Sequence, residues 1–211
     1  MILVGGVSQR MQDQLAEVFT VHALPQDAAG RDAFFAANGE KIGYVLSSGH
    51  GGVTGAMMAQ MPNLKVISNY GVGYDAVDVG TAVPRGIVVT HTPNVLNDDV
   101  ANTAVMLVLT ASRNFLADNA HLMAGNWPKG AAPLSQSIRG KTVGILGLGR
   151  IGMVTAEKLA VFGVKIVYHT RSKRDVPYGY YDDLTKMAQD CDILISIAPG
   201  GASTNKIINR E

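Results

Sequence analysis

Lys141 to Arg174 reads KTVGILGLGRIGMVTAEKLAVFGVKIVYHTRSKR, and the order of its parts decides the fold. Val143 to Leu146 is a short apolar run, the signature of a buried strand. Gly147, Gly149 and Gly152 follow in G-x-G-x-x-G spacing. A helical segment comes next, then a second apolar run, Val164 to Tyr168. Strand, glycine turn, helix and strand together make one βαβ unit of the kind that holds a dinucleotide. Gly147 allows the tight turn. Gly149 lets backbone amides reach a pyrophosphate, and Gly152 lets the helix lie close on the strand. The helix N-terminus offers N–H groups and a partial positive charge to the phosphates.

Past the second strand comes Thr170-Arg171-Ser172-Lys173-Arg174, with Asp175 only afterwards. A carboxylate about 20 residues beyond the glycines would bind a ribose 2′-hydroxyl and repel a 2′-phosphate. Guanidinium and hydroxyl groups stand here instead, and these can hold a dianionic phosphate. The turn therefore favours NADP(H), with NAD(H) still possible. Read without a ligand, it is a solvated basic turn.

Upstream, short strands and helices alternate. Strands are expected at Ile2–Val4, Thr20–Leu24, Ile42–Ser47, Leu64–Ser68 and Ile87–Thr90. Helices are expected at Ser8–Phe19, Arg31–Asn38 and Thr54–Gln60. This alternation predicts an α/β fold with a parallel sheet and helices on both faces. Ligands in such sheets bind at the carboxyl ends of strands. Two glycine-rich loops lie there, Ser47-Ser48-Gly49-His50-Gly51-Gly52 and Asn69-Tyr70-Gly71-Val72-Gly73-Tyr74-Asp75. Their glycines either make turns only or aim backbone N–H groups at a small anion.

From Asp99 to about Ala124 the chain reads as one long helix, apolar on most faces and so suited to burial between domains or at a subunit contact. Trp127 follows on a loop and suggests a partner surface. Further on, a helix is expected to begin within Tyr180–Leu184 and a strand at Ile193–Ala198, with the loop from Pro199 to Thr204 at its carboxyl end.

Bulk properties narrow the function. The chain has 211 residues, 47% hydrophobic and 17% charged, with a formal net charge of +1. Those proportions support a sizeable core and exclude a disordered chain. The charge favours neither nucleic acid nor an anionic membrane. Cys191 is the single cysteine; it precedes an apolar strand and reads as a buried structural thiol in a reducing cytosol. The opening residues MILVGGVSQRM have no charged leader, and the longest apolar run, Ala104–Ala111, is too short for a membrane span. His50 reads as an exposed loop residue and His91, beside Thr92-Pro93, as structural. His22 and His121 have no evident partner. No histidine, cysteine or carboxylate cluster has metal-ligand spacing.

Several segments resemble the D-isomer-specific 2-hydroxyacid dehydrogenase family, in its glyoxylate/hydroxypyruvate reductase branch. They are Asn69-Tyr-Gly-Val-Gly-Tyr-Asp75 with Val77-Asp78, Thr92-Pro-Asn-Val-Leu96, Gly144-Ile-Leu-Gly-Leu-Gly-Arg-Ile-Gly152, and Cys191-Asp192 leading to Pro199. The resemblance implies a flavodoxin-like substrate domain over residues 1–95 and the first part of a Rossmann NAD(P)-binding domain over residues 96–211. It implies reversible hydride transfer between a nicotinamide and a small 2-keto or 2-hydroxy acid, in a homodimer, while the single cysteine points to a cytoplasmic location. Val72 and Gly73 would give amides to the substrate carboxylate, with Ser48 and Gly49 nearby. Gly147, Leu148, Gly149, Arg150, Ile151 and Gly152 would form the pyrophosphate turn. Thr170, Arg171 and Ser172 would meet the adenosine side. Ala198, Pro199 and Thr204 would line the adenosine or nicotinamide-ribose side, and Val100 would lie near the nicotinamide.

The sequence also departs from the family. Ile197 stands where many members carry histidine, and Asn102 where many carry glutamate. The family's catalytic arginine, glutamate and acid–base histidine come after the segment that here ends in Ile207-Ile208-Asn209, so the resemblance assigns no catalytic residue within this chain. A different class of function fits the same residues: a nucleotide-sensing module without catalysis, like the family's corepressor relatives.

Overall fold

The computed structural model describes residues 1–48 and 51–210. Gly49 and His50, named above as a carboxylate-loop residue and a loop histidine, lie outside the described residues. The chain divides into two compact units, Met1–Val95 with Gly200–Glu211, and Leu96–Pro199. The final segment, expected with the nucleotide domain, groups with the first unit.

In the first unit the elements run β1 (Ile2–Val4), α1 (Gln9–Ala16), β2 (His22–Ala23), α2 (Ala28–Asn38), β3 (Tyr44–Ser48), α3 (Gly55–Ala59), β4 (Val66–Tyr70), α4 (Val79–Ala82) and β5 (Val88–Thr90). The five strands are all parallel, in the order β2-β1-β3-β4-β5. Helix starts are chemically marked. Ser8, Asp27, Thr54 and Asp78 each accept a backbone N–H from the first turn of α1, α2, α3 and α4. Helix α4 was not expected; its signal is the Asp78-x-x-Thr81 pair, in which both Asp78 oxygens are engaged by Thr81. Ile2, Ile42, Val45, Met58, Met61 and Ile67 fill the core. Each such side chain contributes about 1.5–3 kcal/mol by leaving water.

The second unit carries α5 (Asn97–Ser112), α6 (Phe115–Met123), β6 (Thr142–Leu146), α7 (Arg150–Ala160), β7 (Lys165–His169), β8 (Gly179–Tyr181), α8 (Leu184–Asp190) and β9 (Ile193–Ser196). Its sheet is parallel, in the order β8-β7-β6-β9. The order reverses at β6: the chain leaves it toward β7 and later returns to pair β9 on its other side. Such a switch point is where open α/β sheets bind ligands. Val143, Ile145, Leu148, Leu159 and Tyr168 are buried beneath it.

Two expectations need correction. The single helix from Asp99 to Ala124 is two helices bent by 62°. The break is at Asn114, which takes a left-handed conformation at φ 52°, one that asparagine tolerates better than most residues. Along this segment Ala101 and Val108 are covered, whereas Leu107, Leu116 and Met123 are exposed. The second correction concerns Tyr180–Asp183, which does not open a helix. Gly179–Tyr181 pairs in parallel with β7, and the Tyr180 ring stands 5.4 Å from that of Tyr168. Helix α8 starts only after Asp183, whose carboxylate accepts the Thr185 and Lys186 amides.

Among the described residues no single helix is long and apolar enough to cross a membrane; α5 and α6 pass that test only as the bent pair.

Candidate functional site

The loop after β4 is braced from below. Asn69, almost wholly buried, donates through Nδ2 to the carbonyls of Gly71 at 3.2 Å and Gly73 at 2.8 Å. Its Oδ1 accepts from the buried Ser47 hydroxyl at 3.1 Å. The Val72 carbonyl lies 2.9 Å from His91 Nδ1. A carbonyl can only accept, so that nitrogen carries the proton. The His91 ring also stands edge-on to Tyr74, at 5.0 Å. Three successive carbonyls, those of Gly71, Val72 and Gly73, are thus engaged by donors. In a trans peptide the N–H points opposite to the preceding C=O. The amides of Val72, Gly73 and Tyr74 therefore face away from these braces, and together they can receive an anion such as a carboxylate. Ser48 ends β3 beside this loop's strand, paired with Tyr70.

In the second unit the glycine turn sits at the sheet's switch point. Gly147 has φ +96°, and a Cβ there would lie 2.8 Å from the Ile197 carbonyl and 2.9 Å from the Ala198 nitrogen. Its own N–H donates to the His169 carbonyl at 3.0 Å. One residue therefore joins the ends of β6, β7 and β9, and brings Ala198 and the start of the basic turn to the glycine turn. A Cβ at Gly152 would lie 2.3 Å from the Gly147 carbonyl, so α7 is drawn tightly onto the turn. Beside Gly149 the space is open, with nothing within 4 Å of a Cβ. Gly149 is the N-cap of α7 and supplies no side chain to the helix's first N–H groups. An uncapped helix N-terminus next to open space, with Arg150 exposed beside it, fits a pyrophosphate.

Thr170, Arg171 and Ser172 follow β7, and Arg171 and Ser172 are exposed. The Thr170 hydroxyl donates to the Ser172 carbonyl at 2.7 Å, closing the turn. Pro199 lies beyond β9 and Val100 in the first turns of α5, exposed on its surface. Thr204 falls in the segment counted with the first unit, where its hydroxyl donates to the Gly201 carbonyl. The structure thus brings Gly147–Gly152, Ala198 and Thr170 to one place, and holds Val72, Gly73 and Ser48 in the other unit.

Cys191 is half-buried rather than fully buried. Its sulfur packs where a Cβ on Gly144 would come within 3.1 Å, and burial pushes the thiol's pKa up. A thiol so placed is a weak nucleophile. His121 does have a partner, the Gly130 carbonyl at 2.9 Å, and His22 stands edge-on to Phe34. Among the described residues no group of three or more histidines, cysteines or carboxylates is placed to hold a metal.

The braces were missed by reading the sequence. Asn69 and Tyr168 hydrogen-bond backbone two to six residues further on, and Arg174 bonds the Leu148 carbonyl 26 residues back, and residue spacing reveals none of these bonds. For Asn69 the available signal was position: a polar residue near the end of an apolar strand.

Known proteins are similar to this chain in sequence and fold. Residues 105–211 match the family model described as D-isomer specific 2-hydroxyacid dehydrogenase, NAD binding domain. Hydroxyphenylpyruvate reductase of Plectranthus scutellarioides is 35% identical over 206 residues, covering 97% of this chain and 66% of the relative. Glyoxylate/hydroxypyruvate reductase A HPR2 of Arabidopsis thaliana is 36% identical, covering 79% of this chain and 54% of the relative. The crystal structure of the NADPH-dependent glyoxylate/hydroxypyruvate reductase of Sinorhizobium meliloti, in complex with NADP and malonate, superposes with a TM-score of 0.86 at 41% identity. It covers 99% of this chain and 65% of that one. The chain thus spans between about half and two thirds of the length of these relatives.

Proposed function

With the chain belonging to the D-isomer specific 2-hydroxyacid dehydrogenase family, we propose that it forms the substrate-carboxylate loop and the dinucleotide turn of an NADPH-dependent reductase of small 2-keto acids, glyoxylate or hydroxypyruvate, yielding the D-2-hydroxy acid. The observation that carries this reading is the glycine turn at the switch point, joined through Gly147 to the ends of β7 and β9 and followed by a basic turn with no carboxylate before Asp175.

Each unit has its task. In the first, the amides of Val72 and Gly73 take the keto acid's carboxylate, with Ser48 beside them. In the second, Gly147 to Gly152 receive the pyrophosphate, Arg171 and Ser172 the 2′-phosphate, and Thr170 the adenosine ribose. Ala198, Pro199, Thr204 and Val100 line the rest of the dinucleotide. A bound nicotinamide supplies the hydride. The keto oxygen, which gains negative charge, needs a cation and a proton donor with a pKa near neutral. No residue of this chain is assigned to that role, which the resemblance gives to an arginine, a glutamate and a histidine further along the family's sequence. The same proposal covers residues 1–95 as substrate domain and 96–211 as nucleotide domain, a homodimer, and a cytosolic location suited to one cysteine. A nucleotide sensor without catalysis has no observation of its own in its favour.

The test is a cofactor titration of the full chain. NADPH should bind more tightly than NADH, and Arg171→Asp should weaken NADPH while sparing NADH. An unchanged NADPH-to-NADH ratio in that variant would refute the 2′-phosphate assignment. The chain by itself should show no keto-acid reduction above background, and robust turnover would refute the assignment of acid–base chemistry to residues elsewhere.

A further inference from the structure

The basic turn is exposed along Arg171 to Asp175, yet both of its ends are tied to the core. Tyr168 lies on β7 with its side chain fully buried. Its hydroxyl accepts the Arg174 amide N–H at 2.8 Å and donates to the Arg174 carbonyl at 3.2 Å. One phenol thus satisfies both backbone groups of a residue six positions on. The Arg174 guanidinium then turns back and donates through Nη1 to the carbonyl of Leu148, inside the glycine turn. At the other end the Tyr180 hydroxyl donates to the Thr170 carbonyl at 3.3 Å. The two tyrosine rings stand 5.4 Å apart.

This arrangement does more than hold a loop. The Tyr168 hydroxyl is fixed by a ring packed in the core, so its height above the sheet is set before any ligand arrives. The Leu148 carbonyl belongs to the turn that receives the pyrophosphate. Arg174 therefore links the two segments that meet opposite ends of an adenosine 5′-diphosphate. A turn held this way loses little conformational freedom when it binds, so its affinity is not reduced by ordering.

We propose that Tyr168, Tyr180 and Arg174 are positioning residues that preset the Thr170–Arg174 turn against the glycine turn, and that this presetting sets the preference for a 2′-phosphorylated adenosine nucleotide over its unphosphorylated counterpart. The proposal rests on the reading that this turn meets the 2′-phosphate. Removing the Tyr168 hydroxyl leaves every charge in place, so an effect on discrimination would come from geometry alone.

The experiment uses the full chain and two probes, 2′,5′-ADP and 5′-ADP, titrated by calorimetry. Tyr168→Phe should weaken 2′,5′-ADP about five- to ten-fold, the scale of one or two lost hydrogen bonds. It should change 5′-ADP by less than about two-fold. Without ligand, the Arg174 amide should exchange its hydrogen faster in Tyr168→Phe. Arg174→Gln should resemble Tyr168→Phe, and Arg174→Lys should recover part of the loss. Equal weakening of both probes, or no weakening of either, would overturn the proposal. If Tyr168→Phe does not fold, the same criteria apply to Arg174→Gln. Arg171→Asp separates the two levels. If it leaves the ratio of the probes unchanged, the 2′-phosphate reading itself fails. If it lowers the ratio while Tyr168→Phe and Arg174→Gln do not, only the presetting fails.

Discussion

Asn69 Nδ2 donates to the Gly73 carbonyl at 2.8 Å, reaching over the loop that it begins. The same nitrogen also meets the Gly71 carbonyl, but that oxygen has a second donor in the Thr92 amide. Gly73 is therefore the group that depends on Asn69. Asn69→Leu keeps the volume and removes the donor. It should lower unfolding free energy by about 1–3 kcal/mol, the cost of stranding buried polar groups, here including the Ser47 hydroxyl. It should also release the Val72 and Gly73 amides from their outward orientation and weaken carboxylate binding. Urea unfolding and NMR titration with a small keto acid measure the two effects. A loss of stability with unchanged keto-acid affinity would remove this loop from the substrate site.

The acid limb of stability should report a contact at the base of the second sheet. Asp192 accepts the Thr142 amide at 2.8 Å and pairs with Lys141 at 3.0 Å, which ties the start of β9 to the start of β6. The Thr142 amide, and then Lys141, hold its carboxyl below the ordinary range. A carboxyl depressed in the folded state stabilises it above the unfolded pKa, about 3.9 for aspartate. That contribution is lost as pH falls through the folded value. Asp192→Asn should therefore be less stable than the parent at neutral pH, and the difference should close below about pH 4. Denaturant unfolding across pH decides it. A difference that persists unchanged at low pH would mean that the charge is not what holds the strands.

How much of this was legible in the sequence differs from place to place. The βαβ unit at Lys141–Arg174 was plain, because strand, glycine spacing and helix are local patterns. Strand positions in the first unit came out within a few residues for the same reason. The break at Asn114 was hidden, because Ser112-Arg113-Asn114 also suits the polar face of a continuing helix, and only one left-handed residue interrupts it. Strand β8 was hidden too. It has only three residues, and its pairing goes with the packing of Tyr180 on Tyr168, a contact that spacing does not reveal. The site divides along the same line. The amides proposed to meet ligands sit in glycine patterns that can be read, whereas the hydrogen bonds of Asn69, His91 and Tyr168 that brace the loops depend on how the backbone turns.

The exposed face of α5 and α6 should be a contact between copies of the chain. Leu116 is 74% exposed and Met123 78%, with Trp127 at 68% on the following turn. Such an apolar grouping marks an interaction surface more often than bare solvent exposure. Leu116→Glu with Met123→Glu should shift the protein to monomer in sedimentation velocity while leaving dinucleotide affinity within about two-fold, a change under 0.5 kcal/mol. A parent that already sediments as a monomer would remove the homodimer from the proposed function.

The glycine turn permits a sharper test, because two of its glycines are needed for different reasons. Gly147 is needed structurally: its φ of +96° and the backbone of Ile197 and Ala198 within 3 Å leave no room for a Cβ. Gly147→Ala should cost roughly 1–3 kcal/mol of stability through backbone strain, and lose dinucleotide binding with it. Gly149 faces open space and has φ −78°, which any residue adopts. Gly149→Val should therefore fold with a near-parental denaturation midpoint. Its side chain would occupy the space from which a pyrophosphate approaches the α7 amides, so NADPH binding should fall by two orders of magnitude or more, about 2.7 kcal/mol. Thermal unfolding and calorimetry on both variants separate the roles. Retained NADPH affinity in Gly149→Val would move the pyrophosphate away from this turn, whatever Gly147→Ala does to stability.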